Sequence, residues 1–234
     1  IYFDRKKFIN LMEKLTEEEL LQIRMDCLFT YEGGKMSKIN EPWGSTANAP
    51  LLHAGRTNQG QILYRFSQMA DTIFIHTAET LIQKGIWDIT TYLKELKCSH
   101  FNKEICFYYP TKIDFSTPSC CLINTIDSEL LSSTFKDEID ELESAQLFFG
   151  YLLNGQIVSI CRSVRIGRGH EAGIETNPSF QRRGFASSVL KCWISAVQKQ
   201  KSIPLYSANT DNVASLNLAK KVGFVKYAES IEIW

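Results

Sequence analysis

Residues 169–198 read GHEAGIETNPSFQRRGFASSVLKCWISAVQ. The opening residues alternate as a strand does from His170 to Thr176, and Pro178 closes that strand because proline has no N–H to give a ladder. Gln181, Arg182, Arg183, Gly184, Phe185 and Ala186 then form a short loop with one glycine. Beyond it Phe185, Val189, Trp193 and Val197 recur every fourth residue, which puts them on one face of a helix. Strand, glycine loop and helix start together point free backbone N–H groups at an anion, with the helix dipole behind them. Gly184 could equally serve only to let the helix pack closely on the strand.

Downstream, Pro204 to Ala208 reads as a strand, and Asn209, Thr210, Asp211 and Asn212 offer N-caps for a helix over Val213 to Val222. That helix carries Ala214, Leu218 and Val222 on one face and ends in Lys220, Lys221 and Gly223, cations and then a glycine cap. Phe224 to Trp234 predicts two closing strands. Upstream, Cys120 to Asn124 is a strand and Asp127 caps a helix through Phe135. Glu138 to Glu143 is an acidic helical or loop segment. Leu147 to Leu153 and Ile157 to Val164 are two strands joined by Asn154-Gly155, the strongest short hairpin signal.

The first half is less regular. Phe8, Leu11, Met12 and Leu15 make one apolar face, and Thr16 followed by Glu17, Glu18 and Glu19 starts a second helix. Gly33-Gly34, Pro42, Gly44, Pro50, Gly55 and Gly60 predict a long irregular loop over residues 31–60. Trp43, His53 and Arg56 lie in it, to face a substrate or simply to pack. Ile62 to Phe66 and Thr72 to His76 read as strands, Thr77 to Lys84 as a helix, Ile89 to Leu96 as a helix capped by Asp88, and Ile105 to Tyr109 as a strand. Nothing here names a reaction. The polar run Lys112 to Pro118 puts a domain boundary near residue 116. The expected architecture is therefore α/β (α+β): a smaller mixed α/β domain over 1–116, on the acceptor side or accessory, then a mixed sheet flanked by helices over 117–234.

Across 234 residues, 44% are hydrophobic and 12% aromatic, enough for a well-filled core. The 26 basic and 26 acidic residues cancel, which argues against a dedicated nucleic-acid or membrane-surface binder. Seven cysteines without a C-x-x-C pair read as reduced core thiols, and His53, His76, His100 and His170 show no metal-ligand spacing. No apolar run approaches a bilayer span and no signal peptide is visible, so the default expectation is a cytoplasmic protein without metal, a monomer or homodimer.

Gln181-x-x-Gly184-x-Ala186 resembles the Q/R-x-x-G-x-G/A loop of the GNAT family of N-acetyltransferases. Asn212-x-x-Ser215-x-x-Leu218-Ala219-x-x-x-Gly223-Phe224 is similar to that family's N-x-x-A/S-x-x-L-Y-x-x-x-G-F. The element order from Cys120 onward also resembles the GNAT fold, and the likeness covers roughly residues 118–234. Glu171 to Thr176, Tyr206-Ser207-Ala208-Asn209 and Leu218-Ala219 look most like the zwittermicin A resistance-type branch. The resemblance implies acetyl-CoA as cosubstrate. Ile174 to Thr176 would hold its pantetheine arm, and the amides of Arg182, Arg183, Gly184, Phe185 and Ala186 its pyrophosphate, with Gln181 also among the cofactor-binding residues. Asn209, Asn212 and Ser215 would lie near the cofactor, Asn212 equally being just an N-cap.

Acetyl transfer to an amine also needs a base. Glu171 and Glu175 are four apart on the strand and so share a face. Burying an unpaired carboxylate is costly, so each has either a partner, such as an arginine across the sheet, or a function. Glu175 is the preferred base and Glu171 the second. One position departs from the family: Ala219 stands where a tyrosine commonly protonates the leaving thiolate, leaving Tyr206, Tyr227, Ser215 or water for that task. The expected reaction is direct transfer in a ternary complex to a small-molecule amine or a peptide. A CoA-binding regulatory module without catalysis is the alternative.

Overall fold

The computed structural model describes residues 15–44, 46–131 and 133–234. The apolar face expected at Phe8, Leu11 and Met12 lies outside them, as does the side chain of Asp127. The described residues start with α1 (Glu17–Leu28), whose Thr16 makes the expected capping box: Thr16 Oγ1 accepts from Glu19 N at 3.1 Å and Glu19 Oε2 from Thr16 N at 2.8 Å. A small hairpin follows, β1 (Phe29–Glu32) and β2 (Lys35–Ile39), then β3 (Leu52–Thr57) and β4 (Ile62–Phe66). Helices α2 (Thr72–Gln83) and α3 (Ile89–Leu96) lead to β5 (Phe101–Tyr108) and β6 (Cys120–Leu122). Two short 3₁₀ turns, Thr125–Leu130 and Ser133–Phe135, and the single turn α4 (Lys136–Ile139) precede β7 (Phe149–Leu153), β8 (Gln156–Ile166) and β9 (Gly169–Thr176). The chain finishes with α5 (Phe185–Lys199), β10 (Ile203–Asn209), α6 (Val213–Val222) and β11 (Val225–Ile233).

Nine strands make one mixed sheet in the order β4-β3-β11-β5-β10-β9-β8-β7-β6. The sheet runs straight through residue 116: β5, from before that point, lies between β10 and β11, and β3 and β4 extend the same sheet. Helices α5 and α6 cover one face, where Val189, Leu190, Trp193, Ile194 and Val197 pack on Cys161, Ala172, Tyr206 and Ala208. Helices α2 and α3 extend that layer over β3 and β11. On the opposite face lie α1, packed on Cys106, Ile203, Leu205 and Tyr227, and the segment from Ile123 to Phe148, packed on Ile157 and Ile160.

Several expectations are corrected. Thr72 to His76 is the start of α2, not a strand: Asp71 Oδ1 accepts from Phe74 N at 2.8 Å, and the hydroxyls of Thr77 and Thr80 bond back to the carbonyls of Ile73 and His76. The cap overrides the β-branched composition. Residues 31–60 are not one irregular loop, because Gly33-Gly34 turns a hairpin and LHAGRT of β3 pairs with both β4 and β11. Phe224 to Trp234 yields one nine-residue strand, β11, bent by a bulge between Lys226 and Ala228. The Asn154-Gly155 hairpin is as expected, with φ of 51° and 80° at the two residues of its turn.

Beneath α1 sits a buried ionic cluster. Arg24, 2% exposed, donates from Nε to Glu171 Oε1 at 3.2 Å, from Nη2 to Glu104 Oε2 at 2.5 Å and from Nη1 to Ser230 Oγ at 3.1 Å. One guanidinium thus ties α1 to β9, β5 and β11. Burial raises the Glu104 carboxyl, and the Arg24 guanidinium works against that rise. Arg24→Met should therefore cost roughly 3–5 kcal/mol, the penalty for orphaning a buried charge. Urea unfolding should show a lower midpoint with an unchanged slope.

Candidate active site at the parting of β9 and β10

Strands β9 and β10 are parallel neighbours linked by α5, and they pair only at Gly169–Ile203, His170–Pro204 and Glu171–Leu205. Beyond Glu171 each follows its outer neighbour instead, β9 pairing with β8 as far as Thr176 and β10 with β5 as far as Asn209. The two strands part, and the facing backbone edges of residues 172–176 and 206–209 are left without a shared ladder. Both carboxyl ends lie at the wide end of the split, where an α/β sheet commonly takes its ligand.

α5 begins at that wide end. Gly184 has φ of +92° and no side-chain cap, and a Cβ there would meet nothing within 4 Å. Glycine is thus used for its backbone conformation, not for close packing. Ser188 N is the first amide to reach a helical acceptor, Gly184 O at 3.2 Å, so the amides of Phe185, Ala186 and Ser187 precede the ladder. Arg183 lies over the rings of Phe180 and Phe185, 5.5 Å from each, and Phe185 packs on Tyr151 with ring centroids 4.7 Å apart. Arg182 is exposed with φ of 61°. Gln181 folds back to donate from Nε2 to the Thr176 carbonyl at 3.3 Å, and Thr176 Oγ1 meets Ser159 Oγ at 2.7 Å. Ile174 packs on the α5 side of the sheet.

At the start of α6, Asn212 is the N-cap: its Oδ1 accepts from Ser215 N at 3.0 Å, leaving its Nδ2 free of that role. Asn209 is exposed at the end of β10, its carbonyl taking Asn212 N at 3.0 Å. Ser215 Oγ lies 2.5 Å from the hydroxyl of Tyr206, the first residue of β10 past the parting. Ala219 is fully buried one turn further along. Burial holds the Tyr206 phenol above its ordinary range, so it keeps its proton at neutral pH.

The two candidate acids part company. Glu171 is spent on Arg24, so it is a structural anion beneath α1. Glu175 faces the same side of the sheet but lies beyond the parting, with 42% of its side chain exposed. Its partner is Arg162 of β8, which donates from Nη1 to Glu175 Oε1 at 3.1 Å. Arg162 also forks onto Glu141 through Nε and Nη2, and stands 3.9 Å from Glu138 Oε1. Gly173 makes room for this: a Cβ there would lie 2.3 Å from Val164 Cγ1 and 3.4 Å from Arg162 Nη1. Burial, and then Glu175 beside it, push the Glu138 carboxyl up to about 7.

Sequence reading missed Glu138, Glu141 and Arg162. A signal was present, since Arg162 interrupts the apolar run of β8 and a buried arginine needs partners. His53 faces no substrate. It is fully buried against Glu232, Nδ1 to Oε1 3.2 Å. Arg56 stacks on Trp87 at 5.0 Å. Tyr227 is buried under α1, away from the split. A polar recess of about 300 Å³, lined by Arg56, Thr57, Asn58 and Lys226, opens at the β3–β4 turn beyond β11 and includes none of the groups at the split. Among the described residues no group of three His, Cys, Asp or Glu could hold a metal ion, and no helix is long and apolar enough to cross a membrane.

The family model for GNAT acetyltransferase matches residues 61–230, and the chain belongs to that family. The match reaches well upstream of residue 118, in keeping with the place of β5 in the sheet. Among solved structures, an acetyltransferase of the GNAT family from Colwellia psychrerythraea aligns with a TM-score of 0.50 at 11% identity, over 94% of this chain and 98% of that one. A functionally unknown conserved protein from Staphylococcus epidermidis gives 0.53 at 12% identity over 95% and 98%. A GNAT-family protein from Novosphingobium aromaticivorans gives 0.50 at 14% identity over 58% of this chain and 65% of that one, so this chain spans just under two thirds of its length. These likenesses concern the fold. No curated protein matches the chain.

Glu138 has a measurable signature in stability. Below its ordinary value of 4.5 the folded and unfolded chains both carry the proton. Between there and about 7 only the unfolded chain releases it, so stability falls as pH rises, and above about 7 the loss is constant. Glu138→Gln should melt higher than the native protein at pH 8, by about 2–4 °C per kcal/mol relieved. The gain should shrink toward pH 5 in thermal melts followed by circular dichroism.

Proposed function

We propose that the protein is an N-acetyltransferase that moves an acetyl group from acetyl-CoA to an amine by direct transfer in a ternary complex. The observation that carries this reading is the parting of β9 and β10 in front of the α5 N-terminus. The residues fit the cosubstrate. The open edge at Ile174 to Thr176 would take the pantetheine arm, and the amides from Gln181 through Ala186, with Arg182 and Arg183 beside them, the pyrophosphate. Asn209, Asn212 Nδ2 and Ser215 would lie along the other wall. When bound, acetyl-CoA supplies an acyl group on a good leaving group, a thiol of ordinary pKa near 8.5.

The chain's own groups then handle protons. Glu175, exposed on the acceptor side, would receive the proton that the amine nitrogen gives up as the N–C bond forms and the C–S bond breaks. Tyr206, protonated at neutral pH and held on Ser215, would return a proton to the sulfur. This places the acid on β10 in compensation for Ala219. In sum the amine loses one proton and the thiol gains one. The narrower likeness to the zwittermicin A resistance-type branch rests on short strings around Glu171 and Tyr206 and would point to an aminopolyol acceptor. Monomer or homodimer, cytoplasmic placement and an acceptor-side role for residues 1–116 belong to the same reading.

The second reading, a CoA-binding module without turnover, is favoured by the complete burial of Ala219. Calorimetric titration of acetyl-CoA tests both. Native protein should bind in the micromolar range. Gly184→Asn and Gly184→Asp share the backbone cost of a positive φ, so a loss confined to the Asp variant reads the charge at the phosphate cradle. Glu175→Gln should slow thiol release by about 10²–10⁴-fold with acetyl-CoA affinity nearly unchanged. Binding without turnover on any amine would favour the module, and no binding would sink both.

A further inference from the structure

The segment joining β5 to β6 lies along α5 as a strap. Gln198 donates from Nε2 to the Thr111 carbonyl at 2.8 Å, and its Oε1 accepts from Ile113 N at 3.0 Å. Phe115 N reaches Ser195 Oγ at 3.4 Å, and Lys191 lies over the Phe115 ring at 5.6 Å. As the strap advances its partners step back along the helix, from 198 to 195 to 191, and this brings residues 117–120 over Cys192. There the Thr117 amide and the Cys120 thiol both hydrogen-bond to the Cys192 sulfur. Thr117 and Cys120 are themselves joined in a turn, Cys120 N to Thr117 O at 2.9 Å.

The two thiols are unlike. Cys192 is buried in the middle of α5, whereas Cys120 opens β6 and is partly exposed. The hydrogen bond from Cys120 holds the Cys192 thiol below its ordinary range; burial opposes this, and the Thr117 amide adds to it. Cys120, which gives that bond, is pushed above its ordinary range. A sulfur inclined to ionise beside one that keeps its proton is what thiol oxidation needs, the first to attack and the second to resolve. The surroundings leave room to move. β6 is three residues long, lies at the edge of the sheet and pairs only with β7.

We propose that Cys120 and Cys192 are a redox clasp, closing to a disulfide with hydrogen peroxide as oxidant and reopening with a thiol, and that closure loosens the anion cradle at the start of α5. The Cys192 thiolate displaces hydroxide from the peroxide and becomes a sulfenic acid, and Cys120 then displaces water from it. In sum two thiols and one peroxide give one disulfide and two waters; two external thiols reverse the step and leave as their own disulfide. To bond, the sulfurs must close from hydrogen-bond contact to about 2.05 Å. α5 packs on β7, β8 and β9, so closure draws it toward β6 and away from α6, the other wall of the split. Tyr151 is the register partner of Cys120 and supports Phe185, over which Arg183 lies, so the shift reaches the cradle. The effect on acetyl-CoA rests on the acetyl-transfer reading, but the disulfide does not.

The test is to treat the full chain with stoichiometric hydrogen peroxide, block the remaining thiols, and map the linked peptides by mass spectrometry without reduction. Native protein should give one peptide pair joined through Cys120 and Cys192, lost on adding dithiothreitol. Cys120→Ser, a change at a partly exposed edge position, should remove that pair, and Cys98→Ser should keep it. Calorimetric titration should show the oxidised protein binding acetyl-CoA about threefold to tenfold more weakly than the reduced protein. Dithiothreitol should restore the affinity, and Cys120→Ser should show no such difference. Absence of the pair, or linkage to another cysteine, would overturn the clasp. A linked pair with unchanged acetyl-CoA affinity would overturn its action on the cradle and leave the acetyl-transfer reading standing. A linked pair in a protein that binds acetyl-CoA in neither form would keep the disulfide and remove that reading.

Discussion

The side chain of Arg24 reaches from a surface-layer helix into the middle of the sheet and holds three strands at once. Its position matters because Glu171, one of its partners, is the last residue of β9 to face β10 in register. A parallel pair that is to open must be fixed on the closed side, or the whole edge would unzip. The pin is electrostatic and buried, so its cost is borne by a strong local network and not by a surface ion pair of little worth. Cys106, Tyr227 and Ser230 fill the space around it on the same face.

From that pin the rest of the site follows. Past Glu171, β9 is held only by β8, and a charged side chain on β8 becomes the natural brace. Arg162 supplies it, passing over Gly173 to Glu175 while its other edge locks the 136–143 segment through Glu141. On the opposite face Trp193 of α5 donates to Ser163, which meets buried His170, so the closed side of the split is tied from the helix layer too. The two glutamates of β9 share a face, yet one is buried against Arg24 and the other is exposed beyond the parting. Four residues of strand separate the two outcomes.

Much of this was legible in the sequence, and the physical reason is locality. The stretch around Gly184 declares itself because strand alternation, a proline stop and helical spacing are all encoded within a few residues. Thr16, Asp88, Asn154-Gly155 and Gly223 behave as read for the same reason. What failed was long-range or outvoted. Thr72 to Phe74 has strand composition and is helical because one aspartate caps it. β3 carries a glycine and a histidine that look like loop residues, but Gly55 is small because Leu21 of α1 would lie 2.5 Å from any Cβ there. The partnership of Arg162 with Glu138 and Glu141 spans more than twenty residues and has no local pattern. The role of Glu171 depended on Arg24, 147 residues away.

The place of β5 has a consequence for how the chain reaches this state. Its two sheet partners, β10 and β11, emerge about a hundred residues later in synthesis. Until then β5 is a strand with both hydrogen-bonding edges bare, and Cys106 and Phe107, buried in the finished fold, stay uncovered. Non-local pairing of this kind closes late and leaves edges open to wrong partners meanwhile. β3 and β4 likewise belong to a sheet whose central strands come later in the chain, so the halves of the molecule must mature together. A nascent chain of this topology depends on keeping that central strand soluble until its C-terminal neighbours arrive.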